Sequence, residues 1–267
     1  MKANDILSTI VENKRFEVDF QKRSIPQEDL QDRIATQRCG GISMRKALAE
    51  STCGIIAEFK RRSPSKGWIK QDARIEDIIP AYEKAGAAAI SILTDEKFFG
   101  GTLMDVRTAR PLTGIPILRK DFIIDEYQLY QAKIVGADAV LLIAAVLEKE
   151  KCEELTEKAH RIGLEVLLEI HSESELAYIT PETDMAGVNN RNLGSFYTTV
   201  DNSFRLAELL PANVLLVSES GIDSPDTVRQ LRHHGFRGFL IGETWMKTAN
   251  PGETLSTFIH SLNNSLL

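Results

Sequence analysis

The chain has 267 residues, of which 43% are hydrophobic and 26% charged, a globular composition that excludes an extended disordered protein. The formal net charge of −6 argues against nucleic acid as a partner, because phosphate backbones are bound by basic surfaces. We find no apolar run near the roughly 18 residues of a membrane span and no recognisable signal peptide, and the three cysteines lack metal-ligand spacing. These features predict a cytoplasmic protein without a membrane partner or a metal site.

The first part of the chain, residues 1–50, is predicted to be a helical extension, because apolar residues recur at helical spacing over 5–20 and 42–51. A polar stretch rich in Gln, Asp and Arg separates these two helices. From Gly54 onward, short aliphatic runs alternate with longer amphipathic segments. Eight strands are predicted, at 54–60, 88–93, 115–120, 139–143, 165–170, 185–189, 213–218 and 238–242.

The segments between these strands are predicted to be helices, at 75–85, 104–110, 126–135, 149–161, 173–179, 203–210 and 226–234, and a last helix follows Gly252. Such alternation predicts parallel strands joined by right-handed crossovers. Eight repeats favour a closed (β/α)8 TIM barrel, whereas six or seven would favour an open sheet. We therefore expect one α/β domain over residues 1–267, with the helical extension packed on the barrel.

The polar residues at the strand ends point to chemistry, because (β/α)8 barrels carry their active sites at the carboxyl ends of the strands. In the first strand, the two-residue period puts Ile56, Glu58 and Lys60 on one face. If Ile56 points into the barrel, Glu58 and Lys60 point into its mouth. One charged strand end is usually a solvated loop position, and a Glu–Lys pair two residues apart is often a surface ion pair. Six polar strand ends at one rim are harder to explain in this way.

Two turns late in the chain suit a phosphate group. Ser220 with Gly221, and Gly242 with Glu243, are small-residue turns before predicted helices, where free N–H groups and the positive helix end favour anions. Glycine is common in any strand-to-helix loop, so one such turn is weak evidence. Two of them after strands seven and eight match the usual phosphate site of barrels.

The chain resembles the indole-3-glycerol phosphate synthase family from about residue 55 to 246, in the motifs IAEFKRRSPS, SILTD, FFGG, LRKDFI and ESGI. The resemblance implies a carboxy-lyase that converts 1-(2-carboxyphenylamino)-1-deoxyribulose 5-phosphate to indole-3-glycerol phosphate in tryptophan biosynthesis. This substrate is a small anion with an aryl carboxylate and a sugar phosphate, and the reaction needs no metal or organic cofactor. We expect a monomer, with transient contacts to other tryptophan-pathway enzymes.

The resemblance also implies the site residues. It gives catalytic roles to Glu58, Lys60, Lys120, Glu169 and Asn189. It gives substrate-binding roles to Ser63, Phe99, Phe122, Leu141, Arg191, Ser220, Gly221, Leu240, Gly242 and Glu243. Asn190, Asn192 and Glu243 stand where family members vary.

In the chemistry that this set implies, Lys120 is the acid for ring closure, and Lys60 holds the carboxylate and then serves as the acid in dehydration. The residues leave open an exchange of the two lysine roles. Desolvation is expected to lower the lysine pKa values. Glu58 and Glu169 handle the remaining proton transfers, and the five histidines, which form no ligand cluster, are interpreted as surface or structural residues.

Phe99, Phe122 and Leu141 are expected to form an apolar wall for the aryl ring, although each also fits an ordinary core position. Two alternatives for the whole protein stay open. An isomerase acting on phosphoribosyl compounds would share Gly221 and Gly242, but it does not need two lysines and a glutamate together. A non-catalytic barrel that senses a sugar phosphate should have lost an acid or base, and none is missing.

Overall fold

The computed structural model describes residues 4–36, 41–192 and 197–264. Its main strands are β1 Ile55–Phe59, β2 Ala89–Leu93, β3 Ile117–Lys120, β4 Ala139–Ile143, β5 Glu165–Ile170, β6 Met185–Asn189, β7 Leu215–Glu219 and β8 Phe236–Ile241. They form one closed barrel in the order β1-β8-β7-β6-β5-β4-β3-β2. All neighbours pair in parallel, and β1 pairs with both β2 and β8, which closes the sheet. The predicted (β/α)8 TIM barrel is confirmed.

The helices before and around the barrel are α1 Asn4–Ser24, α2 Gln27–Ala35, α3 Met44–Glu50, α4 Ile75–Lys84, α5 Glu96–Phe99, α6 Leu103–Ala109, α7 Glu126–Val135, α8 Lys149–Arg161, α9 Asp201–Ala207, α10 Pro225–His233, α11 Glu243–Met246 and α12 Pro251–Asn264. Two 3-10 helices lie at Arg110–Leu112 and Glu173–Tyr178. The second of these replaces the α-helix predicted over 173–179. Within the described residues, no helix is long and apolar enough to span a bilayer.

The polar stretch between the first two predicted helices contains a further helix, α2. It was not predicted, because its sequence is mostly polar. Leu30 and Ile34 are one helical turn apart, and both are buried. They pack against Tyr127 and Tyr130 of α7. A single pair of apolar residues at this spacing is enough to fix a short helix on a preformed surface.

The core lies between the barrel strands and the outer helices. The strands β1, β2 and β4 are buried along their whole length, as expected when helices cover one face and the barrel interior the other. Trp245 stands edge-on to Tyr82 and Phe258, with ring centroids 6.5 Å and 5.9 Å away. These rings join α11, α4 and α12 behind β1, so the strand that carries Glu58 has a rigid support.

Candidate active site

A cavity of about 690 Å³ opens at the carboxyl ends of the barrel strands. It receives side chains from β1, β3, β4, β5, β6 and β8 and from the loops that follow β7 and β8. Every residue predicted for the site lines it except Ser63: Glu58, Lys60, Phe99, Lys120, Phe122, Leu141, Glu169, Asn189, Arg191, Ser220, Gly221, Leu240, Gly242 and Glu243. The barrel closure therefore brings together residues that are as much as 185 positions apart in the chain, since the set runs from 58 to 243.

Ser63 occupies a structural position instead. It belongs to the hairpin in which Arg62–Ser63 pairs with Gly67–Trp68. Its side chain is buried, and its Oγ accepts a hydrogen bond from the Lys66 backbone N–H at 3.2 Å. The turn presents Ser65 and Lys66 to the cavity in its place. Ser63 itself does not line the cavity, and its substrate contact, which the family resemblance implied, stays a prediction.

Glu58 lies between the two lysines at the bottom of the cavity. Its Oε1 is 2.5 Å from Lys60 Nζ, and its Oε2 is 3.4 Å from Lys120 Nζ. Burial alone would raise the pKa of Glu58, but the two ammonium groups outweigh it and lower the pKa to about 2. Glu58 is therefore ionised at neutral pH and serves as an acceptor for protons or hydrogen bonds.

Lys120 is surrounded by carboxylates, and its pKa shifts opposite to the sequence-based expectation. Burial lowers the pKa, but Glu219, Glu58 and Glu169 outweigh it and hold the pKa above its usual value. The shortest contact joins Lys120 Nζ to Glu219 Oε2, at 2.8 Å. The predicted lowering was wrong because desolvation was considered without the carboxylates that β1, β5 and β7 bring to the same point.

Glu219 belongs to the ESGI motif, but the sequence analysis gave it no role in the site. It is fully buried at the end of β7, and it pairs in register with Leu240, which lines the cavity from β8. Burial raises the pKa of Glu219 to about 7, although Lys120 opposes the shift. A Cβ on Gly187 of β6 would lie 2.3 Å from Glu219 Oε1, so a glycine there leaves room for the carboxylate. The same two-residue period that selected Glu58 would have found it.

Glu169 faces Lys120 from β5 and has a second cationic neighbour. His171 Nε2 lies 3.2 Å from Glu169 Oε1, and the imidazole is only 12% exposed. Burial would raise the pKa of Glu169, but His171, Lys120 and a hydrogen bond with Asn189 lower it. Asn189 also accepts a hydrogen bond at its Oδ1 from the Arg191 backbone N–H, at 3.0 Å. His171, interpreted as a surface or structural residue, is thus in direct contact with a site carboxylate.

The two glycine turns lie side by side on one wall of the cavity. Thr244 Oγ1 donates a hydrogen bond to the Ile222 carbonyl at 3.1 Å and so ties them together. Ser220 adopts a left-handed backbone with φ of 65°, which is strained for a residue with a side chain. Asn190 Nδ2 holds it by donating to the Ser220 carbonyl at 3.1 Å.

The helix after the first turn, predicted at 226–234, starts within one residue of that prediction but does not adjoin Gly221. Its N-cap is Ser224, and the helix starts at Pro225. Only the second turn directly precedes a helix, the four-residue α11, with Gly242 as its N-cap. Glu243 follows, and its Oε1 is 3.8 Å from Lys66 Nζ.

An apolar wall faces these turns. The rings of Phe99 and Phe122 are 6.0 Å apart between centroids and tilted by 39°. The N-terminal helix α1 adds Ile6, Leu7 and Ile10 to the lining. The extension is therefore part of the cavity, a contribution that its sequence pattern did not reveal.

A buried ammonium group anchors α1 to the barrel mouth. Lys14 is 4% exposed, and its Nζ is 3.0 Å from Asp95 and 3.0 Å from Asp121. Asp121 is also held by Arg119 Nη2 at 2.9 Å. Asp121 directly follows Lys120 in the chain. This cluster therefore fixes α1, which lines the cavity, to the strand that carries Lys120.

A closed parallel barrel with acids and bases at the carboxyl ends of its strands defines a (β/α)8-barrel enzyme. Residues 7–258 match the family model described as indole-3-glycerol phosphate synthase. The chain belongs to this family.

Relatives named indole-3-glycerol phosphate synthase resemble the chain over nearly its whole length. The protein from Bacteroides thetaiotaomicron is 67% identical over 258 residues, covering 97% of this chain and 99% of the relative. The protein from Polaromonas naphthalenivorans is 39% identical over 258 residues, covering 95% and 98%. That from Burkholderia vietnamiensis is 40% identical over 256 residues, with the same coverage.

Solved structures of more distant proteins share the fold. A tryptophan synthase complex from Pyrococcus furiosus contains a chain with a TM-score of 0.58 and 16% identity, covering 79% of this chain and 97% of that one. Thiamine phosphate pyrophosphorylase from Pyrococcus furiosus has a TM-score of 0.61 and 17% identity, covering 84% and 100%. At such identities the likeness concerns the barrel alone.

Proposed function

We propose that this enzyme converts 1-(2-carboxyphenylamino)-1-deoxyribulose 5-phosphate to indole-3-glycerol phosphate, a step of tryptophan biosynthesis. The observation that carries the proposal is the arrangement of Glu58, Lys60, Lys120 and Glu169 in one cavity that is also lined by the two glycine turns. Ring closure, loss of carbon dioxide and loss of water require acids and bases on one side of the substrate. The phosphate requires anion-binding backbone in the same cavity.

Lys120 is the acid for ring closure. The aromatic carbon that bears the carboxylate attacks the ketone carbon, and the carbonyl electron pair moves onto the oxygen. Lys120 is held protonated by its carboxylate neighbours, so at neutral pH it is ready to donate a proton to this oxygen as negative charge develops. Glu219 Oε2 lies 2.8 Å from the Lys120 ammonium group and helps to keep it protonated.

Lys60 and Glu58 act on the carboxylate side. Lys60 neutralises the substrate carboxylate until the C–C bond breaks and carbon dioxide leaves, and the electron pair of that bond returns to the ring. The hydroxyl formed at ring closure then leaves as water with a proton from Lys60, while Glu169 takes a proton from the ring carbon next to the nitrogen. The electron pair of that C–H bond forms the double bond that completes the indole. Glu58 lies 2.5 Å from Lys60 and orients it for both steps. The ionised states of Glu58 and Glu169 suit acceptors rather than acids.

The remaining lining residues bind the two ends of the substrate. The backbone at Ser220, Gly221 and Gly242 is proposed to receive the phosphate, and Phe99 and Phe122 the aryl ring. Leu141 and Leu240 complete the apolar surface. Arg191, whose Nη1 is 3.1 Å from Ser65 Oγ, adds positive charge at the rim for either anionic group.

Turnover can be followed by fluorescence of the indole product. Lys120→Met should abolish turnover while binding of the substrate stays largely intact, because the acid is lost and the apolar wall and glycine turns are unchanged. Glu169→Gln should likewise reduce kcat far more than it raises KM. The matched control is Lys151→Met, since Lys151 is a surface lysine on α8 that pairs with Glu154; this variant should turn over at the wild-type rate.

Wild-type turnover in Lys120→Met would remove this lysine from the proposed role. A wild-type protein that forms no indole product from the substrate would refute the function itself.

We also propose that the enzyme acts in the cytoplasm as a monomer and meets other enzymes of the pathway only transiently. Two observations support this. Cys53 and Cys152 are buried free thiols, which suit a reducing compartment. Glu58, Lys60, Lys120 and Glu169 all belong to one chain, so the proposed chemistry does not require a second copy.

A further inference from the structure

His171 is buried at the end of β5 and lies between two carboxylates. Its Nε2 is 3.2 Å from Glu169 Oε1, and its Nδ1 is 3.6 Å from Glu175 Oε2. Glu175 lies in the 3-10 helix that follows β5, and its Oε2 also accepts a hydrogen bond from the His171 backbone N–H at 2.5 Å. Asn202 of α9 donates to the His171 carbonyl at 3.1 Å. Hydrogen bonds therefore hold the backbone of this residue, and both ring nitrogens lie within ion-pair distance of a carboxylate.

The balance of charges in the cavity shows why a cation beside Glu169 matters. Three buried carboxylates, Glu58, Glu169 and Glu219, face two ammonium groups, Lys60 and Lys120. Lys60 is occupied by Glu58, and the closest partner of Lys120 is Glu219. Without a further cation, Glu169 would have only the shared Lys120 as a positive neighbour, and burial would favour its protonated form.

The imidazole supplies this cation. Two carboxylates flank it, and they raise the pKa of His171 to about 10 against the opposing effect of burial. His171 is therefore an imidazolium at neutral pH. It reaches Glu169 from the side away from the cavity, since Glu169 lines the cavity and His171 does not.

We propose that His171, itself held by Glu175, is a positioning residue that keeps the Glu169 carboxylate ionised and directed into the cavity. The inference rests on the proposed function, in which Glu169 accepts a proton from the ring carbon next to the nitrogen. In this arrangement Glu175 orients the imidazolium ring of His171. The positive charge of the ring balances the negative charge of Glu169, and Glu169 contacts the reacting atoms. The groups facing Glu169 are then His171 from its own strand, Lys120 from β3, Asn189 from β6 and, as a like charge, Glu219 from β7.

The test is the pH dependence of kcat in His171→Asn. Loss of the imidazolium raises the pKa of Glu169, so its ionised form disappears at a higher pH. The acidic limb of the profile should move up by about one pH unit, an approximately tenfold loss of kcat on the acidic side, while KM changes by less than about twofold. Glu175→Gln removes the second carboxylate beside the ring and lets the imidazolium turn away from Glu169, so the limb should move in the same direction but less. His171→Lys, which retains a positive charge, should recover most of the loss.

The control is His160→Asn. His160 is paired with Asp184 at 2.7 Å, outside the cavity lining, and its loss should leave the acidic limb in place. A merely structural role of His171 would lower kcat equally at every pH and would be accompanied by a lower melting temperature; that result, or an unmoved limb in an active enzyme, overturns the inference. If His171→Asn does not fold, Glu175→Gln decides by the same criterion. Absence of turnover in the wild-type protein would instead refute the proposed function.

Discussion

Replacing Lys14 by Met would remove the ammonium group that joins α1 to the barrel mouth, with little change in side-chain length. Lys14 is 4% exposed and contacts Glu17, Asp95 and Asp121 at 2.7–3.0 Å. In the variant, the two aspartates remain buried without it. The two buried carboxylates are not destabilised equally, because their remaining partners differ.

Asp121 keeps strong compensation after the change, and Asp95 does not. Asp121 retains Arg119 at 2.9 Å and accepts a hydrogen bond from Thr94 Oγ1 at 2.6 Å. Asp95 retains a hydrogen bond from the Phe98 backbone N–H at 2.8 Å, which carries no full charge. One buried carboxylate thus loses its cation, and breaking such a pair costs about 3 kcal/mol of unfolding free energy.

The cost should depend on pH in a defined direction. Burial already raises the pKa of Asp95, with Lys14 opposing the shift, and the variant loses that opposition. A carboxyl whose folded pKa is raised contributes stability at low pH and loses it as the pH rises. The difference between wild type and Lys14→Met, measured by urea unfolding, should therefore be largest near pH 7 and shrink by about pH 5.

The same variant should raise KM more than it lowers kcat, because α1 supplies Ile6, Leu7 and Ile10 to the cavity. Lys22→Met is the matched control on α1: Lys22 pairs with Asp125 at 2.7 Å at the surface, so its loss should cost less than about 1 kcal/mol. Adding Asp95→Asn to Lys14→Met removes the uncompensated charge and should restore most of the stability. If Lys14→Met unfolds at the same urea concentration as wild type, or if Asp95→Asn restores nothing, the reasoning is wrong.

Three further predictions concern the cavity itself. The pKa of Glu219 is raised to about 7, so the stability that its protonated form contributes is lost as the pH rises towards that value. Urea unfolding should show wild type losing stability relative to Glu219→Gln between the ordinary pKa of 4.5 and about pH 7, and parallel curves would contradict this. In Gly242→Ala the new Cβ would lie 2.6 Å from Glu58 Oε1; displacing this carboxylate should lower kcat about a hundredfold, whereas Gly114→Ala, away from the cavity, should be unchanged. The dephosphorylated substrate should bind far more weakly than the natural one in calorimetry, and equal affinity would argue against the glycine turns as the phosphate site.

The sequence by itself determined the barrel and most of the cavity lining. Alternation of aliphatic runs and amphipathic segments predicts parallel strands, and eight repeats close the sheet. The two-residue period then places Glu58 and Lys60 on one face of β1, and the structure puts both in the cavity. These inferences succeeded because strand alternation and strand–helix order are local patterns that depend on residues close together in the chain.

Only the tertiary structure decided the pKa shifts of the cavity residues and the contact of α1 with the barrel mouth. The direction of the Lys120 pKa shift follows from carboxylates on three other strands, and no local pattern contains that distance information. The same holds for Lys14, whose partners Asp95 and Asp121 lie about a hundred positions away in the chain, and for the contact between His171 and Glu169. Electrostatic effects depend on separation in space and on burial, so the barrel must close before each of these groups has its partner.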